Sequence, residues 1–98
     1  MRRGTTPTHV FTVPVDASTI TLLSLVYAQN GNIIIEKLLS DVVASGNTIT
    51  ATLSEEETLK FFSGAVEIQL RIGIGTKRMA SEIIKASVGD ILKGGKLA

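Results

Sequence analysis

The chain has 98 residues, ten basic and nine acidic side chains for a net charge of +1, 44% apolar and 19% charged residues, and no cysteine. This length leaves room for one core and excludes a second, and the composition excludes a disordered chain. The charge balance gives no sign of the basic surface that dominates nucleic-acid affinity, and the lack of cysteine removes disulfides, thiolate nucleophiles and Cys-based metal sites.

Thirty residues are β-branched, 11 Ile, 8 Val and 11 Thr, against three Phe, one Tyr and no Trp. Branched side chains are stiff at χ1 and pack well on a pleated surface, so the chain is expected to be strand-rich. Residues 1–8 read as a polar N-terminal arm whose Arg2 and Arg3 are solvated or contact a negatively charged partner. They do not begin an export signal, because Gly4 to His9 is polar and Thr12 and Pro14 interrupt the next apolar stretch. The first strand runs through Val10, Phe11, Thr12 and Val13, and Pro14 ends it or pushes it to an edge. Asp16 to Thr19 turns the chain into a second strand, Ile20 to Gln29, apolar on both faces.

Asn30-Gly31 is a strong hairpin signal, since both residues tolerate the positive φ of a type I′ turn. A third strand, Ile33 to Leu39, therefore pairs antiparallel with the second. A short fourth strand, Asp41 to Ala44, leads to the turn Ser45-Gly46-Asn47. In Thr48 to Leu53, apolar Ile49, Ala51 and Leu53 alternate with Thr48, Thr50 and Thr52, the pattern of an edge-type strand buried on one face. Ser54 and Glu57 form a capping box for one helical turn, whose Thr58, Leu59, Phe61 and Phe62 are expected to plug one end of the core. Ala65 to Ile74 alternates again, with Val66, Ile68, Leu70, Ile72 and Ile74 inward. Gly75 to Arg78 connects to a last strand, Met79 to Val88, whose phase is blurred by Ile83-Ile84 and leaves a helix open. Residues 89–98 form a C-terminal tail, a loose one or a short amphipathic turn using Ile91, Leu92 and Leu97, and Lys93 and Lys96 make it basic.

About seven short strands with one helical turn and no crossover helices describe an all-β fold, an antiparallel two-sheet, immunoglobulin-like sandwich over residues 9–88. The longest apolar runs, Ile20–Val26 and Ile33–Leu39, are far shorter than the ~18 residues that span a bilayer. No membrane partner and no nucleic acid are expected.

Motifs that carry chemistry are weak. Gly73-Ile74-Gly75-Thr76-Lys77 lacks the spacing of a P-loop or a dinucleotide fingerprint and reads as a hairpin. His9 stands alone, without carboxylates at ligand spacing and without a nucleophile elbow, and reads as a surface or edge residue. Glu55, Glu56 and Glu57 read as a solvated helix cap rather than a metal site. Tyr27 with Phe11, Phe61 and Phe62 is too sparse for an aromatic carbohydrate or base-stacking platform, and the phenylalanines read as core; a sugar site would have Tyr27 to lean on. No catalytic residue, metal or cofactor is assigned. The candidate interaction residues, chosen on exposure, are Arg2, Arg3, Thr48, Thr50 and Thr52, by strand addition or an ordered arm.

The stretches Met1-Arg2-Arg3-Gly4-Thr5-Thr6-Pro7-Thr8-His9-Val10-Phe11, Tyr27-Ala28-Gln29-Asn30-Gly31, Gly46-Asn47-Thr48-Ile49, Leu53 to Phe61 and Val66 to Arg71 carry a resemblance. The chain resembles small uncharacterised proteins encoded in phage and prophage structural gene blocks of Firmicutes. In strand pattern alone it is similar to the N-terminal β-sandwich of phage baseplate upper proteins. The resemblance implies a non-enzymatic structural or assembly protein of the tail, baseplate or head, present in the bacterial cytoplasm during assembly and in the virion. Its partners would be other phage structural proteins or further copies of itself. The alternative expectation is a small carbohydrate- or host-surface-binding module.

Overall fold

The computed structural model describes residues 1–81, 83–92 and 94–95. Its strands are β1 (Thr8–Thr12), β2 (Leu22–Gln29), β3 (Asn32–Leu38), β4 (Val43–Ser45), β5 (Thr48–Thr52), β6 (Gly64–Ile74), β7 (Lys77–Ala80) and β8 (Ile84–Val88), with one helical turn, α1 (Glu55–Leu59). They form two antiparallel sheets. One has the order β1-β5-β4, the other β3-β2-β6-β7, with β8 also paired to β6. This is the pairing of the B-E-D and C′-C-F-G strands of an immunoglobulin-type sandwich, and no described strand takes the place of the first strand, A.

Three tight turns set the registers. Asn30 and Gly31 have φ of 52° and 78°, as the type I′ turn requires, and Gln29 pairs directly with Asn32. Gly46 and Gly75 each open a two-residue turn at φ 57°, the place where a hairpin favours glycine. The expected fourth strand begins two residues late, because Leu39–Asp41 first forms a 3-10 turn fastened by Leu38 N–H to the Asp41 carboxylate at 2.9 Å.

The expected single last strand is divided into β7 and β8, lying end to end along one edge of β6. Ser81 N–H donates to Leu70 O at 2.8 Å, whereas the next pairing joins Ile68 to Ile84. The outer strand therefore carries one extra residue there, a β-bulge, and this is what blurred the phase around Ile83-Ile84. No helix forms among the described residues of this stretch.

The core lies between the sheets. Ile49, Ala51 and Leu53 from the β5 segment meet Leu25, Tyr27 and Val66 from β2 and β6, all fully buried. The capping box forms as expected, with Glu57 N–H donating to Ser54 Oγ at 3.1 Å and Ser54 N–H to Glu57 Oε1 at 2.9 Å. Only part of the expected plug is buried: Thr58 and Phe61 are inside, Leu59 is half-buried and Phe62 is 69% exposed. Phe62 is diverted because its backbone serves Gln29. The buried Gln29 amide donates to Phe62 O at 2.8 Å and to Ala65 O at 3.3 Å, and accepts from Phe62 N–H at 2.8 Å.

Ile49 sits at the centre of the core on the middle strand of the narrower sheet, so Ile49→Ala opens a cavity that neighbouring strands cannot close. The expected loss is about 2–5 kcal/mol, read as a lower urea midpoint at unchanged slope.

Candidate functional site

Two corrections place the candidate residues. Thr48–Thr52 is not an edge: β5 is paired to β1 on one side and β4 on the other. The alternation that suggested an edge reports one buried face and carries no information about which neighbours pair. The residues of the N-terminal arm are also held rather than loose. Arg3 N–H donates to Gly89 O at 2.9 Å, Gly89 N–H donates to Met1 O at 2.8 Å, and Arg2 and Gly89 form a parallel bridge.

Arg2 donates to Asp90 O at 2.6 Å, and Arg3 donates to the Asp90 carboxylate at 2.7 Å and to Leu59 O at 3.1 Å. The Arg3 hydrogen bond holds the Asp90 carboxyl below its ordinary range. Thr58 completes the attachment. Its hydroxyl accepts from Thr5 N–H at 3.0 Å and has Thr5 O at 2.8 Å as an acceptor. The tail beyond is described only at 89–92 and 94–95, so the expectations on Lys93, Lys96 and Leu97 lie outside the described residues.

Thr48, Thr50 and Thr52 share the outer face of the three-stranded sheet with β1 and β4. By register, Thr8 lies beside Thr52, Val10 beside Thr50 and then Val43, and Thr12 beside Thr48 and then Ser45. These eight residues include no charge. Thr8 and Thr52 hydroxyls touch at 3.1 Å, and Thr48 donates to Ser45 O at 2.9 Å. The outer face of the other sheet, in contrast, carries Glu36, Glu67, Arg71 and Lys85, with Glu67 directly opposite Lys85.

β1 is the edge of the uncharged face. Val13 N–H donates to Asn47 O at 2.8 Å and Leu53 N–H to Pro7 O at 3.0 Å. Antiparallel pairing alternates, so odd-numbered residues of this segment face β5, while the N–H and C=O groups of Thr8, Val10 and Thr12 point off the sheet. Beside this edge, where the first strand of the sandwich would lie, is an apolar groove of about 290 Å³ lined by Val10, Phe11, Ile72, Met79 and Ile84 among others.

His9 lies on the edge strand β1, one of the two positions expected for it, but its ring is turned inward to Tyr27. Tyr27 is fully buried, and its hydroxyl lies 2.7 Å from His9 Nδ1, joining one sheet to the other. Burial pushes the Tyr27 phenol upward, assisted by the Glu57 carboxylate. Burial, and then the positive charge at Met1 N, push the His9 imidazole below its ordinary value. A ring placed this way is core, and Tyr27 cannot serve as a sugar platform. While still closing the cap, Glu57 also meets Lys37, whose ammonium is 2.8 Å from both carboxylate oxygens. Burial raises the Glu57 carboxyl, but the bonds from Lys37 and Ser54 outweigh it and leave the group below its ordinary range.

Among the described residues, no three His, Cys, Asp or Glu side chains are placed to hold a metal ion. β1 is an edge strand, one of the two outcomes that Pro14 suggested, while its uncharged outward face Thr8-x-Val10-x-Thr12 was not singled out as a contact surface. Sequence reasoning also missed Gln29, and it placed Thr58 in the plug without its bonds to Thr5, for which no local signal exists. No protein-family model, curated protein or solved structure matches the chain.

With the His9 pKa lower in the folded chain, the unfolded chain binds the extra proton, and stability rises with pH across this window. The expected outcome is full stability above about pH 6.5 and a progressive loss as pH falls from there toward about pH 5, before carboxylates titrate. Urea midpoints across this range check it, and His9→Gln should flatten the slope.

Proposed function

We propose that the protein is a non-enzymatic structural or assembly component of a phage or prophage particle, working through protein contacts made by its narrower sheet. The observation that carries the contact reading is the uncharged Thr/Val/Ser face of that sheet, which ends at β1, an edge with no strand beside it among the described residues. Burying charged groups at an interface costs desolvation, so the face without charges is the one a protein partner covers at least expense. An open strand edge supplies directional backbone bonds to the same partner. The phage setting rests on the resemblance of the Met1–Phe11 and Leu53–Phe61 segments, and it makes other particle proteins, or further copies of this chain, the partners.

The role is exercised in the bacterial cytoplasm during assembly and in the virion. No helix among the described residues is long and apolar enough to cross a membrane. The carbohydrate-binding alternative loses its main support with the burial of Tyr27.

The test is incorporation. When the chain is produced beside the structural genes of its phage or prophage, it should sediment with purified particles. Thr50→Lys, at the centre of the uncharged face, should leave stability within about 0.5 kcal/mol and reduce incorporation severalfold. A chain that is absent from particles in both forms would count against this role.

A further inference from the structure

The outward side chains of β1 read Thr8-Val10-Thr12, the same sequence in either direction. The same three residues carry the backbone groups that point off the sheet. An antiparallel copy of β1 laid against this edge therefore meets its own pattern, with Val10 opposite Val10 and Thr8 opposite Thr12. Such a pair exchanges about six N–H···O bonds. We infer that the partner at this edge is a second copy of the chain, related by a two-fold axis at Val10; the inference rests on the assembly reading above and specifies one contact it uses.

The remaining edges support this by contrast. Exposed edges are normally protected by shortness, charge or bulges. β4 has three residues, β3 carries Glu36 and Lys37, and the β7–β8 edge carries Lys77, Arg78 and Lys85 and is broken by the bulge. β1 has five residues, with no Asp, Glu, Lys or Arg and no register shift. Its single titratable side chain, His9, is turned inward against Tyr27. Pro7 and Pro14 lie outside the paired stretch and leave it uninterrupted.

Pairing of two short strands alone falls below the ~1,200 Å² typical of a stable interface. The groove beside β1 provides the remainder. The groove lies where a strand added to β1 would sit, so the β1 of each copy brings its inward Phe11 against the apolar lining, Met79 and Ile84 included, of the other. The two three-stranded sheets become one six-stranded sheet, and the uncharged outer face doubles in width.

Light scattering behind size exclusion, run on the full chain over a range of concentrations, tests the pairing. The expected mass is twice 10.4 kDa. Val10→Pro deletes an N–H that points away from β5 and leaves the bonds to β5 in place, a position where an edge strand tolerates proline. It should give a single-chain mass with an unchanged circular-dichroism spectrum. Should that variant fail to fold, Val10→Lys sets two ammonium groups at the axis and should also give single chains. A wild-type chain that stays at 10.4 kDa at every concentration, or a folded Val10→Pro or Val10→Lys variant that still pairs, overturns the inference. Incorporation into particles is read separately: a monomer that enters particles overturns the β1 pairing alone, and a dimer that never enters them supports the pairing and overturns the particle role.

Discussion

The two sheets must bury their inner faces against each other although one has three strands and the other a fourth position, filled by β7 and β8 in succession. Apolar surface is therefore left over at the seams, and the irregular parts of the molecule are what cover it. At one end, α1 carries the chain from the narrow sheet to the wide one, and Glu57 reaches Lys37 on β3. The pair is well sheltered, with side-chain exposures of 13% and 23%, so its value lies as much in satisfying a lysine beside the core as in Coulomb attraction. Along the seam between β1 and β8, the Met1–Thr5 segment fills only the part next to α1, held by Thr58 and Leu59 on one side and Gly89 and Asp90 on the other. The rest of that seam is the open groove next to β1.

The same geometry explains why polar side chains appear deep in the sandwich. Gln29 ends β2 where the chain leaves α1 for β6, and its amide takes over three backbone contacts that no strand supplies. Thr58 does the same for Thr5. A buried polar group without partners costs roughly 1–3 kcal/mol, so these contacts are required by burial rather than added to it.

Much of the fold was legible because period-two alternation and turn chemistry are local. The Asn30-Gly31 hairpin, the Ser54–Glu57 capping box and the inward set Val66, Ile68, Leu70 and Ile72 all stand as the sequence suggests. What could not be read is lateral. Alternation at Thr48–Leu53 states that one face is buried and is silent on which strands lie alongside, so a middle strand resembled an edge. The Tyr27–His9 bond went unseen for a related reason, since a phenol and an imidazole that satisfy each other across two sheets leave no trace at a separation of 18 residues. The candidate surface was thus half legible: its threonines were found and Pro14 hinted at an edge for β1, while the place of β1 beside those threonines appeared only once the strand order was known.

The hairpin turns at Asn30-Gly31, Gly46-Asn47 and Gly75-Thr76 divide the chain into three pieces that can form from local encounters. Joining them is another matter, because β1 must find β5 across 44 residues, as the Thr8–Thr52 contact records, and Arg3 must find Asp90 across 87. Loop closure of that kind precedes any reward from packing, and domains dominated by such pairings fold in roughly milliseconds to seconds. A β4–β5 hairpin formed before that closure has its β1 side vacant, and a strand of suitable alternation, including one from a neighbouring chain, can compete there for the place of β1.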